Sequence, residues 1–161
     1  MKYLFLAISS VLAIVAQTVA GSNFFLFNFL DFSMILIAYW ALYRNRTQAL
    51  FVGSFTGVLL DAVVGWPLGF NGFGKTVAAY IIGQTAKHFN VEEGWIRFAL
   101  LAAASCASSL SVYVLFALLQ RGASPVFIGA SMAQALITAL VGVLVFAAYD
   151  SYEHAHSGKT S

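Results

Sequence analysis

The chain has 161 residues, of which 61% are hydrophobic and 9% charged, with a net charge of +2. A soluble domain carries about 25% charged residues, so a soluble globular enzyme, a disordered tail and a fibrous repeat are all excluded. The mean hydropathy of +0.86 fits an all-α polytopic membrane bundle, and six spans of ~20 residues leave no room for a soluble catalytic domain.

Six apolar stretches follow one another along the chain. The first is Tyr3–Ala20. Met1-Lys2, the apolar run and Thr18-Val19-Ala20 also fit a cleavable signal peptide. Gln17, Ala13 and the pair Ala16/Ala20 suit a retained packing helix. The second is Phe24–Tyr43, with Asn28 and Asp31 in its first half; a loop followed by a thin span from Asp31 to Tyr43 is the alternative.

The third and fourth stretches, Gln48–Val64 and Leu68–Ala86, are joined by Gly65-Trp66-Pro67, a tight connection that predicts an antiparallel hairpin. Gly53, Gly57 and Asp61 share one helix face by their spacing of four, as do Lys75, Ala79 and Gly83. The pairs 61 with 75, 57 with 79 and 53 with 83 share the sum 136, so one register sets acid against base and small against small. Small residues let helices approach closely where lipid gives no hydrophobic drive. A lone charge inside the bilayer costs ~2.5–3.5 kcal/mol on insertion scales. The expectation is an Asp61–Lys75 ion pair, with separate snorkelling of the two side chains as the alternative.

Residues Gly69 to Thr76 match the phosphate-binding pattern G-x-x-x-x-G-K-[ST]. That loop works only between a strand and a helix, and no sheet can be built here. The glycines are expected to let the helix start irregularly, close to its neighbour.

The fifth stretch, Arg97–Leu119, offers hydroxyls on one face at Ser105 and Ser109, near Val112, and on another at Ser108 and Ser111. Cys106, the one cysteine, reads as a small buried hydrophobe and excludes an internal disulfide. The sixth stretch, Val126–Tyr149, aligns Gln134, Thr138 and Gly142. Such faces are expected to be helix contacts rather than a polar-lined cavity. The remainder, Asp150–Ser161, reads as a frayed polar tail to a single membrane domain of residues 1–149. His88, His154, His156 and Glu92-Glu93 fall in loops or tail. No metal cluster, nucleophile–base pair or basic patch for nucleic acid is readable, so no cofactor, catalytic residue or nucleic-acid partner is expected.

With the N-terminus cytoplasmic, Lys2, Arg44, Arg46, Lys87, Arg97 and Lys159 fall inside and only Arg121 outside. The positive-inside rule then puts both termini in the cytoplasm. Trp40, Tyr43, Trp66, Trp95 and Tyr149 lie near span ends, where aromatic rings favour the interface.

Taken in order, Met34–Tyr43, Gly53-x-x-x-Gly57-Val-Leu-Leu-Asp61, Gly65-x-Pro67-Leu68-Gly69, Lys75-Thr76 and Tyr80-Ile-Ile-Gly83 resemble MreD, a family of bacterial rod shape-determining membrane proteins. The resemblance implies a non-catalytic inner-membrane scaffold of the cell-elongation machinery. Its implied partner is MreC, a single-span protein with a periplasmic coiled coil, and through it MreB filaments and the cell-wall synthases. It also implies a fold similar to the substrate-binding subunits of energy-coupling-factor vitamin transporters. Two other readings use the same spans. One is such a vitamin-binding subunit. The other is a lipid or precursor flippase with Asp61 and Lys75 in a hydrated path, which requires a water-accessible Asp61.

Overall fold

The computed structural model describes residues 2–23, 30–88, 91, 93–119 and 125–157. Asn28, Glu92, Arg121 and Lys159 lie outside the described residues, as do the side chains of Lys2, Asn23, His154 and His156. Among the described residues the fold is all-helical. Its elements are α1 (Lys2–Asn23), α2 (Phe32–Tyr43), α3 (Arg46–Val64), α4 (Phe70–Thr85), α5 (Gly94–Leu118) and α6 (Pro125–Ser157).

Three segments are long and apolar enough to cross a bilayer: Arg46–Val64, Gly94–Leu118 and Ser131–Tyr152. Among the described residues, α1 contributes only the shorter apolar stretch Leu6–Val19, and two helices are short outright. At 1.5 Å per residue, α2 with 12 residues and α4 with 16 reach only ~18 and ~24 Å, short of the ~30 Å hydrocarbon core. The expected six spans of ~20 residues are matched in length and apolarity by three helices among the described residues. The alternative for the second stretch, a thin helix after Asp31, is the one the structure adopts.

The short helices are sheltered by the long ones. α2 packs on α1, α3, α4 and α6, and its Met34, Ile37 and Ala38 are wholly buried. α3, α4, α5 and α6 follow in sequence as antiparallel neighbours, and α6 closes back against α2. α1 lies outside this ring, on α2 and α3. A helix end inside the membrane is tolerable only when protein surrounds it and other groups satisfy its free N–H groups. This requirement decides where the polar residues of the chain go.

The α3–α4 hairpin is antiparallel, as expected, but its register differs. A Cβ on Gly53 would lie 2.7 Å from the Lys75 carbonyl oxygen, and one on Gly57 2.5 Å from the Asn71 carbonyl oxygen. Gly83 faces Arg46. The facing residues sum to 128 or 129 rather than 136, a slip of about two helical turns. The glycines therefore meet backbone or an arginine stem, not one another, and Ala79 is buried in the core. The cause lies in the turn: Gly65 and Gly69 both adopt positive φ, 75° and 101°, and fold the start of α4 back along the last turn of α3.

α6 runs through the boundary expected at Tyr149 and stays helical to Ser157. The expected fraying is corrected over this stretch. Asp150 is anchored by two side chains from other helices, and Ser151 Oγ donates to the Ala147 carbonyl at 2.8 Å.

Candidate functional site

Asp31 stands at the start of α2 with its side chain turned back into the protein. One carboxylate oxygen accepts from the Met34 N–H at 3.0 Å and from Ser33 Oγ at 2.5 Å. The first of these caps the helix, satisfying a free N–H and placing negative charge at the positive end of the helix dipole. The other oxygen accepts the Lys75 ammonium. The Asp31 N–H donates to Thr138 Oγ1 of α6 at 3.0 Å. One residue thus joins α2, α4 and α6. Lys75 is 1% exposed and is among the largest fully buried side chains.

The expected Asp61–Lys75 pair is not formed. Asp61 is fully buried, and its carboxylate accepts from the Gly69 N–H at 2.8 Å, the Asn71 N–H at 3.1 Å and Asn71 Nδ2 at 2.8 Å. Its carbonyl accepts the Trp66 N–H at 3.0 Å. Gly69 is the N-cap of α4 and has no side chain to cap with, so Asp61 supplies the cap from the neighbouring helix. The two short helices are treated alike: an aspartate at each N-terminus replaces the water that a membrane lacks. Lys75, one turn and more into α4, then points past Asp61 to Asp31.

A polar cavity of about 80 Å³ adjoins the pair, bordered by Asn71, Ser105, Ser108, Ser109, Ser131 and Gln134. The serine and Gln134 faces, read as helix contacts, line this cavity in part. Other members of those faces do make contacts: Thr138 meets Asp31, and Gly142 faces Leu101. Gly74 of the phosphate-loop look-alike packs on the Ser108 carbonyl, and Thr76 Oγ1 donates to the Gly72 carbonyl at 2.7 Å. That stretch is a helix start and interface, as the sequence suggested. Cys106, expected to be buried, is exposed.

A second polar cluster ties the opposite end of α2 to α5 and α6. Asp150 accepts from Arg97 Nη1 at 2.5 Å and from Tyr43 Oη at 2.7 Å. Arg97 Nε donates to the Val91 carbonyl at 2.5 Å. Tyr39, Tyr43 and Tyr149 pack around this cluster with ring centroids 5.1–5.7 Å apart, Tyr39 stacked on Tyr43 and Tyr149 edge-on to both. Arg46 lies over the Tyr80 ring at 4.5 Å.

Sequence reasoning missed Asp31, Thr138 and Asn71 as members of one site, and the Tyr43–Arg97–Asp150 cluster. A signal existed for the first: two acids and one lysine at membrane depth leave that lysine a choice of partner.

Gly53, Gly57, Asp61, Gly65, Pro67, Leu68, Gly69, Lys75, Ala79 and Gly83 thus all fall on one hairpin, whose lysine reaches out to α2. The family model for rod shape-determining protein MreD matches residues 1–152. The chain belongs to the MreD family. No curated protein and no solved structure matches it. Family membership gives a role in rod shape determination, and the likeness to vitamin-transporter subunits finds no support among solved structures.

Proposed function

We propose that this chain is a non-catalytic scaffold of the bacterial cell-elongation complex, seated in the inner membrane with both termini cytoplasmic. Residues 1–149 form its single membrane domain, and 150–161 extend from it into the cytoplasm. It binds an MreC-like single-span protein and, through it, helps to organise lateral wall synthesis by MreB and the cell-wall synthases.

One observation carries this reading: the charged groups described within the bundle act on the bundle itself. Lys75 is taken by Asp31, Arg97 by Asp150, and Asp61 by the backbone of its own hairpin. A hydrated path through Asp61 requires an accessible carboxylate, and this one is fully buried. The result is a rigid frame whose lipid-facing helices are available for recognition within the bilayer. Recognition of this kind relies on packing and on small residues more than on charge.

A pull-down from gently solubilised membranes, with a tag after Ser161, tests the reading. Recovery of a single-span coiled-coil protein of the MreC type, without a stoichiometric vitamin, is the expected result. Recovery of a transporter's coupling subunit and ATPases, or of a bound vitamin, overturns it.

A further inference from the structure

Two cavities meet between α5 and α6. One is apolar, about 530 Å³, and lined by Cys106, Ala107, Leu110, Tyr113 and Met132. The other is the 80 Å³ polar cavity beside Asp31 and Lys75. Ser109 and Ser131 line both, so the apolar groove and the polar cavity are neighbours.

The serines there behave differently from other hydroxyls of the bundle. Ser10, Thr56, Thr76 and Ser111 return their hydrogens to a carbonyl four residues back, the usual solution for a hydroxyl in a membrane helix. Ser105, Ser108 and Ser109 line the polar cavity and donate to no group among the described residues. Ser105 is 5% exposed as a residue, and it borders that space. A hydroxyl that faces a cavity without an internal acceptor keeps its hydrogen free for an occupant that accepts.

We propose that the groove and its polar end form a lipid site. One acyl chain of a glycerophospholipid lies along Cys106, Leu110 and Met132, and its ester carbonyl takes the hydrogen bonds of Ser109 and Ser105. The volume lies within the ~300–1,000 Å³ of small-molecule pockets. A helix with side chains is ~10–12 Å across, so a space of this size holds little more than one turn of a protein segment. The polar cavity has room for several waters or a small polar group, at ~10–15 Å³ of such space per water. Lys75 is already neutralised by Asp31, so the group that enters is a neutral acceptor. This site stands independently of the scaffold reading.

The test uses the purified full-length protein in vesicles of phosphatidylethanolamine and phosphatidylglycerol, doped with a phospholipid bearing a diazirine on one acyl chain. Adducts are mapped by peptide mass spectrometry. The expected density on residues 106–113 and 131–132 is about tenfold that on the exposed α1 face at Leu12 and Val15, equivalent to ~1.4 kcal/mol of preference. Ala107→Trp, which fills the groove, removes the excess. The double change Ser105→Ala with Ser109→Ala lowers it severalfold. Even labelling of all lipid-facing surfaces in the wild type means annular lipid only and overturns the proposal. So does efficient Cys106–Cys106 crosslinking between copies on mild oxidation, which assigns the groove to a second molecule. Loss of the excess in the tryptophan variant but not in the serine variant overturns the assignment of the polar end. The wild-type map stands by itself if a variant fails to fold.

Discussion

Lys75 is the residue on which the interior turns. Its ammonium is buried and held by Asp31, and removing one member of such a pair leaves an uncompensated charge, at ~3–5 kcal/mol. Lys75→Met and Asp31→Asn are each expected to lower unfolding stability in detergent by that order. The double variant recovers much of the loss, so a thermodynamic cycle gives a coupling of ~2 kcal/mol or more. The same cycle for Asp61→Asn with Lys75→Met is expected to stay within ~0.5 kcal/mol of additivity. Strong coupling of 61 to 75, with none for 31 to 75, would return Lys75 to the partner that hairpin arithmetic suggested. Asp61→Asn is still costly by itself, because a neutral amide is a poorer cap for the start of α4.

The hairpin α3–α4 is the element that fixes this geometry, and its glycines work by two different physical means. Gly57 leaves no space for a Cβ beside the Asn71 carbonyl, whereas Gly65 has nothing within 4 Å but needs its φ of 75°. Gly57→Ala forces the helices apart, at ~1–3 kcal/mol for overpacking and more if Lys75 is carried off Asp31. Gly65→Ala costs ~1–2 kcal/mol of backbone strain alone. Thermal melts of the two variants should therefore rank Gly57→Ala as the worse, and the reverse order would mean that the hairpin does not pack on its backbone. The hairpin, its antiparallel sense and its small-residue faces were legible in the sequence, because a period of four and a Gly-x-Pro turn are local signals. The register was not. Equal pairing about residue 68 assumes a turn that adds no fold-back, and the two positive-φ glycines with Asp61 acting on Gly69 and Asn71 shift it. For the same reason Asp31 read as a flaw in a span. Its role as a cap and counter-ion depends on α4 and α6, 44 and 107 residues away in the chain.

In the whole molecule, α2 acts as a short strut fastened at both ends. Asp31 holds its start to α4 and α6, and Tyr43 holds its end to Asp150 and, through it, Arg97. Tyr43→Phe removes one hydrogen bond to a charged group, and a loss of ~1.5–3 kcal/mol in unfolding stability is expected. The two fastenings also give the bundle a polarity. The end with Arg44, Arg46, Lys87 and Arg97 is basic, and the end with the Gly65–Gly69 turn has no exposed charge among its described residues. The proposed orientation, by the positive-inside rule, predicts the turn on the periplasmic side and the basic end in the cytoplasm. Leu68, 69% exposed, and Lys87, also exposed, sit at opposite ends of α4 and make the measurement direct. In a Cys106→Ser background, a membrane-impermeant maleimide applied to intact spheroplasts should label Leu68→Cys. Lys87→Cys should react only after the membrane is opened. Reversed labelling would invert the molecule and overturn the proposed orientation with both termini in the cytoplasm.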